Sequence, residues 1–263
     1  MTTKRLIFTL LYDDGSFMLS RNFRLQKIGN LDWLEKNYGF SNVGFHIDEL
    51  IVLDVSRSKR NTEKFCEDLK RLTNDCFAPI AAGGGIRSID HAQQLLRSGA
   101  DKIVVNTALQ DQPELVEELA HKFGNQCVVA SIDAQKINNS YRVYKQNGYI
   151  ETSDSLEKCF LKCAGMPIGE IYLTSMDRDG TSNGLDFEML NQLKHVNHLP
   201  LIFKGGVGNA EHIVAGLSDD RIDAVATAHL LNFVGDGLEK ARSTQSPRAS
   251  ICQFSNPKLE LAN

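Results

Sequence analysis

The stretch Pro79-Ile-Ala-Ala-Gly-Gly-Gly-Ile-Arg-Ser88 reads as a strand that ends on glycines and hands over to a helix. Residues 79–82 form a short apolar run, Gly83 to Gly85 carry no side chains, and Ser88 is a candidate N-cap for an amphipathic segment reaching residue 98. The same order recurs late in the chain, where Leu201-Ile-Phe-Lys-Gly-Gly-Val-Gly208 precedes the candidate cap Asn209. Two further pairs keep step: Asp48-Glu-Leu-Ile51 with Gly169-Glu-Ile-Tyr172, and Ala100-Asp-Lys-Ile103 with Ile222-Asp-Ala-Val225. Setting Gly83 on Gly205 puts each pair 121 or 122 residues apart. A fixed offset of half a domain, present in only two copies, indicates a duplicated half-domain and not a solenoid.

Working outward, short apolar runs alternate with amphipathic segments along the chain. Strand candidates fall at 6–11, 49–55, 79–82, 102–106, 127–132, 170–174, 201–204 and 223–227. Helix candidates fall at 31–42, 61–74, 88–98, 113–123, 153–164, 186–196, 209–217 and 236–242, with Pro113 fitting a first helical turn. Eight strands alternating with eight helices predict an α/β chain with a parallel sheet, closed as a single (βα)8 barrel over residues 1–242. Residues 136–152 fall outside that rhythm and read as a hairpin, with Asn138-Asn139 and Asn147-Gly148 as turn signals. The segment 243–263 is polar, contains Pro247 and Pro257, and reads as a C-terminal extension.

Composition narrows the function classes. The chain has 263 residues, 42% hydrophobic and 24% charged, with a net charge of −4. That is enough for one large core, and a chain of about 250 residues is usual for one (βα)8 domain. No basic stripe suits nucleic acid, and the apolar segment after Met1 is too short for a signal peptide or a membrane span. Six scattered cysteines without a Cys-x-x-Cys pair predict free thiols in a cytoplasmic protein and no metal set. No redox cofactor is implied.

In a parallel barrel, reactive groups sit at the C-terminal ends of the strands. Gly84 and Gly85 free backbone N–H groups to face a phosphate at a helix start, and Asn106 and Thr107 add an amide and a hydroxyl. Gly205 and Gly206, with the segment Ala226 to His229, repeat this in the second half. Two phosphate cups on opposite sides of the mouth are expected. Asp133 ends the fifth strand and is a candidate general acid or base. Asp54 and Asp177 end neighbouring strands, and Asp179 with Gly180 is placed to meet a hydroxyl or an N–H. The repeat sets Asp133 on Leu11, so the first half lacks the matching carboxylate; Asp13 and Asp14 read as turn residues in Tyr12-Asp-Asp-Gly15. At the opposite strand ends Arg5, Glu49, Lys102 and Glu170 converge as a neutral ring of charges.

Together these residues resemble the cyclase subunit of imidazole glycerol phosphate synthase. The motifs that carry the likeness are Lys4-Arg-Leu-Ile7, Asp48-Glu-Leu50, Gly83-Gly-Gly-Ile86, Ala100-Asp-Lys102, Asn106-Thr107, Ile132-Asp-Ala134, Thr174-Ser-Met-Asp-Arg-Asp-Gly-Thr181 and Gly205-Gly206. The resemblance covers roughly residues 4 to 240. The resemblance implies a glutaminase subunit docked on the N-terminal face, near Asp101. It also implies ammonia entering through a gate formed by Arg5, Glu49, Lys102 and Glu170, and a bisphosphorylated substrate at the far end. It implies two acid/base aspartates, of which Asp133 matches one and Leu11 replaces the other. Phe17-Met-Leu-Ser20 stands where the family commonly has a lysine, Lys204 stands where a serine is usual, and His229 takes another small polar position.

A conserved underside with an altered mouth resembles a paralogous branch associated with surface polysaccharides, in which a separate amidotransferase converts an acetamido group on a sugar to an acetamidino group. The lead expectation is therefore an ammonia-conveying barrel in such a complex. The alternatives are an authentic cyclase that uses Asp13 or Asp14, and a non-catalytic scaffold for the glutaminase.

Overall fold

The computed structural model describes residues 4–38, 44–57, 59–193 and 199–228. Strand β1 (Arg5–Asp13) turns back through β2 (Ser16–Arg21) and β3 (Arg24–Gly29) into α1 (Leu31–Tyr38). Then follow β4 (Glu49–Asp54), α2 (Thr62–Asp75), β5 (Ile80–Gly83), α3 (Ile89–Arg97), β6 (Lys102–Val105), α4 (Thr107–Asp111) and α5 (Pro113–Phe123). The second half runs β7 (Val128–Ile137), β8 (Ser140–Lys145), β9 (Ile150–Ser155), α6 (Leu156–Ala164), β10 (Glu170–Ser175), α7 (Phe187–Asn191), β11 (Leu201–Lys204), α8 (Ala210–Leu217) and β12 (Ala224–Thr227).

Strands β1, β4, β5, β6, β7, β10, β11 and β12 pair in that order, all parallel, and β12 returns to β1. The chain is a single (βα)8 barrel. Its interior is filled by side chains such as Ile7, Ile51, Ala81, Val104, Val129 and Ile202, while a larger apolar cluster packs the strands against the helices. Ser88 and Asn209 cap their helices by accepting from the His91 and His212 N–H groups, and Pro113 opens α5. The expected helix at 236–242, the extension from 243, His229, and the far ends of the helices expected at 31–42 and 186–196 lie outside the described residues.

Several boundaries differ from the sequence expectation. Residues 16–29, which belong to none of the strand or helix candidates above, form the hairpin β2/β3. Its tight turn places Asn22 (φ 49°) and Phe23 (φ 62°) in the left-handed region, which a Phe does not advertise. Phe17 anchors it by packing on Tyr12, ring centroids 5.8 Å apart, and Tyr12 in turn packs on Phe65. Residues 153–155, expected to be helical, complete β9. The strand ending at residue 132 continues to Ile137 and pairs with β8. The half-barrel offset is also not constant. The offset is 122 for β1/β7 and β6/β12 but 121 for β4/β10 and β5/β11. Gly84 (φ 115°) therefore matches Gly205 (φ 117°), and Lys204 matches Gly83, not Ala82.

Candidate functional site

The C-terminal ends of the strands open into a cavity of about 340 Å³ lined by Leu11, Leu53, Asn106, Asp133, Thr174 and Lys204, among others. A second cavity, of about 240 Å³, lies between the β2/β3 hairpin and the loops after β10, β11 and β12. Asp133 sits at the inner wall of the first, still partly exposed. Its Oδ2 accepts from Asn106 Nδ2 at 3.1 Å. Burial pushes its carboxyl up to about 6; Lys204 pulls it down and Asp179 adds to the rise. A carboxyl near neutrality can give or take a proton under ordinary conditions.

The two halves of this mouth differ in chemistry. Asp133 stands level with Thr174 on β10, and the related pair on β1 and β4 is Leu11 with Leu53. One side is polar and titratable, the other a leucine wall, with Leu11 only 5% exposed. Asp13 and Asp14 do not line the cavity. Asp14 sits in the turn, φ 41°, with its carboxylate 62% exposed and 4.0 Å from Lys64 Nζ.

Gly84 and Gly85 line the first cavity, and Gly205 and Gly206 the second. A Cβ on Gly84 would lie 2.2 Å from the Asp54 carbonyl oxygen, and on Gly205 2.7 Å from that of Ser175. Both glycines are thus required by close backbone approach as well as by conformation. Asn106 spends its amide on Asp133 and on the Ser131 carbonyl, at 3.0 Å. Thr107 Oγ1 accepts from the Gln146 N–H at 3.2 Å, so the tip of the β8/β9 hairpin reaches the first cavity. Three arginines that the sequence reading did not single out, Arg57, Arg60 and Arg87, line the first cavity. Their signal was position: all follow strand ends in βα loops. Arg60 lies over Gly85, 3.6 Å from Asp54 Oδ2, with its Nε buried and without a hydrogen-bond partner.

Asp179 meets a hydroxyl and an N–H, both supplied by the protein itself. Its Oδ2 accepts from Ser20 Oγ and from the Phe23 N–H, and its Oδ1 is 3.5 Å from Lys204 Nζ. Gly180 packs against the Ser20 carbonyl. These two residues hold the β2/β3 hairpin down, although both also line the second cavity. Lys204 is almost fully buried; burial lowers its ammonium pKa, but Tyr172, Asp179 and Asp133 outweigh that and raise it, so it stays charged.

At the other end of the barrel the four expected charges form a closed ring. Arg5 donates to Glu49 at 2.8 Å and to Glu170 at 2.6 Å; Lys102 donates to Glu49 at 3.0 Å and to Glu170 at 2.6 Å. Cation and anion alternate around the circle. The two glutamates are related by the half-barrel repeat, whereas Arg5 and Lys102 answer to Cys127 and Ala224. Burial pushes the Glu49 carboxyl up, with Glu170 adding to it and the two cations opposing. Between this ring and the mouth, Thr9 and Tyr172 share a buried hydroxyl–hydroxyl hydrogen bond of 2.9 Å.

Among the described residues no cluster of His, Cys, Asp or Glu is placed to hold a metal ion, and no helix is long and apolar enough to cross a membrane. The chain matches the family model described as histidine biosynthesis protein over residues 41–235. A protein of Parasynechococcus marenigrum (strain WH8102), provisionally named imidazole glycerol phosphate synthase subunit hisF2, is 46% identical over 251 residues, covering 95% of this chain and 93% of that one. The imidazole glycerol phosphate synthase subunit HisF of Chlorobaculum tepidum is 36% identical over 243 residues, 92% of this chain and 95% of its own. The HisF subunit of Lachnoclostridium phytofermentans is 37% identical over 236 residues, 89% and 90%.

Proposed function

This chain belongs to the histidine biosynthesis protein family, and from that premise we propose that it is the ammonia-conveying subunit of a glutamine-dependent amidotransferase complex. In this reading a glutaminase docks at the N-terminal face, in the cytoplasm. Ammonia passes the ring of Arg5, Glu49, Lys102 and Glu170 and crosses the barrel. A separate amidotransferase uses it to amidinate a surface-polysaccharide sugar. The names of the relatives give the subunit type, a synthase component. The chemistry at the mouth departs from a two-carboxylate cyclase. The observation that carries the reading is the contrast between the ends: a complete ring of ion pairs below, and Leu11 beside Leu53 where a second acid would face Asp133.

The test is turnover of a bisphosphorylated ribulosyl carboxamide by the purified protein with an ammonium salt. Losing one of two acid/base groups costs about 10²–10⁴-fold, so the expected rate is lower than a cyclase's by that factor. Ordinary enzymatic turnover would defeat the reading. Lys102→Met, assayed with the glutaminase partner, separates a conduit from a scaffold: a conduit loses coupling of glutamine hydrolysis to amidation, and a scaffold keeps it. One observation favours the authentic cyclase as a second reading. Both cups are lined with arginines, Arg57, Arg60 and Arg87 at the first and Arg21 and Arg24 at the second, which suits two phosphates.

A further inference from the structure

Lys204 and Ser20 are shared by the two cavities of the mouth. They therefore stand in the wall between them. Asp179 completes that wall: 2% exposed, it holds Ser20 Oγ and the Phe23 N–H on one oxygen and faces the Lys204 ammonium with the other. The wall runs from β11 through the loop after β10 to the tip of the β2/β3 hairpin. Its lysine has no counterpart in the other half of the barrel, where the matching position is Gly83. A symmetric mouth would carry no side chain at either position. This one carries a long side chain that remains cationic and is held in place by a buried carboxylate.

Each cavity is an anion site by composition. The first holds Arg57, Arg60 and Arg87 against Asp54 and Asp133; the second holds Arg21 and Arg24 against Asp179, and Lys204 serves both. A ligand with phosphates at both ends would have to pass through the Ser20–Asp179–Lys204 chain to reach both cups. Displacing Lys204 would strip a buried carboxylate of its cation, which is strongly unfavourable.

We propose that Lys204 partitions the mouth, so that the first cavity takes a small molecule bearing a single phosphate and no one ligand bridges both cups. The phosphate lies at Gly84, Gly85 and the arginines, and the uncharged remainder points to Asp133. Lys204 is a specificity-determining residue that acts by exclusion. The proposal deepens the conduit reading, and shares with it only the premise that the mouth is not built for ring closure on a bisphosphate. Its test uses no ammonia, so the two can fail separately.

The experiment is calorimetric titration of the full chain with inorganic phosphate, ribose 5-phosphate and a series of alkane-1,n-diol bisphosphates of increasing spacer length. Two phosphates on one ligand gain affinity over one only when geometry allows simultaneous engagement. The expected result is that ribose 5-phosphate binds and no bisphosphate binds more than about threefold tighter. In Lys204→Ala, at least one spacer length should exceed ribose 5-phosphate by about tenfold or more, because the wall is open and chelation becomes possible. The ratio between ligands is the readout, so the general loss of a cation cancels. A bisphosphate at least tenfold tighter in the wild-type protein overturns the proposal. So does failure of every phosphate probe to bind, or a folded Lys204→Ala with no change in ratio. If Lys204→Ala does not fold, the wild-type comparison decides alone.

Discussion

Leu11 and Asp133 occupy the same position in the two halves of the barrel. Leu11 is level with Leu53 on β4 and Met18 on β2; Asp133 is level with Thr174 on β10 and Tyr144 on β8. One position carries a titratable group held by Asn106, the other an apolar side chain in the same cavity. The consequences of that asymmetry can be measured in the free protein, without any partner.

Asp133 should make the folded state pH-dependent. Its carboxyl is raised in the fold to about 6, from an ordinary value near 3.8. A raised acid favours folding when protonated, so its contribution is fully present below the unfolded value and lost as pH rises through about 4 to 6. Asp133→Asn removes the buried charge. It should stabilise the protein at pH 8 by about 2 kcal/mol, after allowing for solvent at the mouth, and the gain should vanish below pH 4. Urea midpoints at both pH values check this; a constant difference would show that the effect is packing, not ionisation.

Leu11→Asp places a second carboxylate across from the first. The new acid stands level with Leu53, and the position that answers to Asn106 in the repeat is Ala228, which offers no side-chain donor. Its folded pKa should be raised, so the loss of stability should be larger at pH 8 than at pH 4.5, reaching about 2–4 kcal/mol. The same substitution should push Asp133 further up, since like charges share the cavity. Carboxyl chemical shifts followed by NMR titration give both values. If Asp133 does not move, the two positions are not electrostatically in touch.

Much of this arrangement is legible in the sequence. Gly83 to Gly85 and Gly205 to Gly206 mark strand ends because only glycine tolerates the close backbone approach found there. The ring charges are legible because they open strands. What escaped has physical reasons. The β2/β3 hairpin turns at Asn22-Phe23, and a bulky residue with positive φ gives no turn signal. The one-residue difference in repeat offset is invisible to motif matching, because three consecutive glycines can be aligned on two in either register. The partners of Asp179, Ser20 and Phe23, come from that hairpin, which carries no turn signal in the sequence. Arg57 and Arg60 resemble solvated loop cations until the fold brings both to the first cavity and Arg60 beside Gly85.

The ring of Arg5, Glu49, Lys102 and Glu170 should be a stabilising unit with a defined pH signature. Arg5 is shared between Glu49 and Glu170, whose side chains are 4% and 6% exposed. Arg5→Met leaves two buried carboxylates on Lys102 alone and should cost about 3 kcal/mol at pH 8. Removing the cation raises the folded carboxyl values, so the deficit should shrink as pH falls toward the unfolded values near 4. Salt should change it little, because the pairs are shielded from solvent. Denaturation at pH 5 and pH 8, each with and without added salt, checks the sign; an equal deficit at both pH values would contradict a charge-based ring.

The hairpin over the mouth hangs on Gly180. That residue has φ 66°, and a Cβ there would lie 2.0 Å from the Ser20 carbonyl oxygen and 2.9 Å from Arg21 Cα, both backbone atoms that cannot rotate away. The neighbouring Asp179 carbonyl accepts from the Asn22 N–H at 2.8 Å, so the two segments are joined directly beside the glycine. Gly180→Ala should therefore cost about 1–3 kcal/mol of strain and clash, relieved chiefly by lifting the hairpin. Local opening of this kind appears as proteolysis before global unfolding. Trypsin should cut after Arg21 or Arg24 about tenfold faster than in the wild-type chain, while the helices remain intact by circular dichroism. Gly124→Ala is the matched control. Gly124 has φ 90° with nothing within 4 Å of the added carbon, so it carries the conformational strain without the clash and should leave cleavage at the hairpin unchanged. Equal acceleration in both variants would mean that Gly180 matters only for overall stability, and that the hairpin is not seated through it.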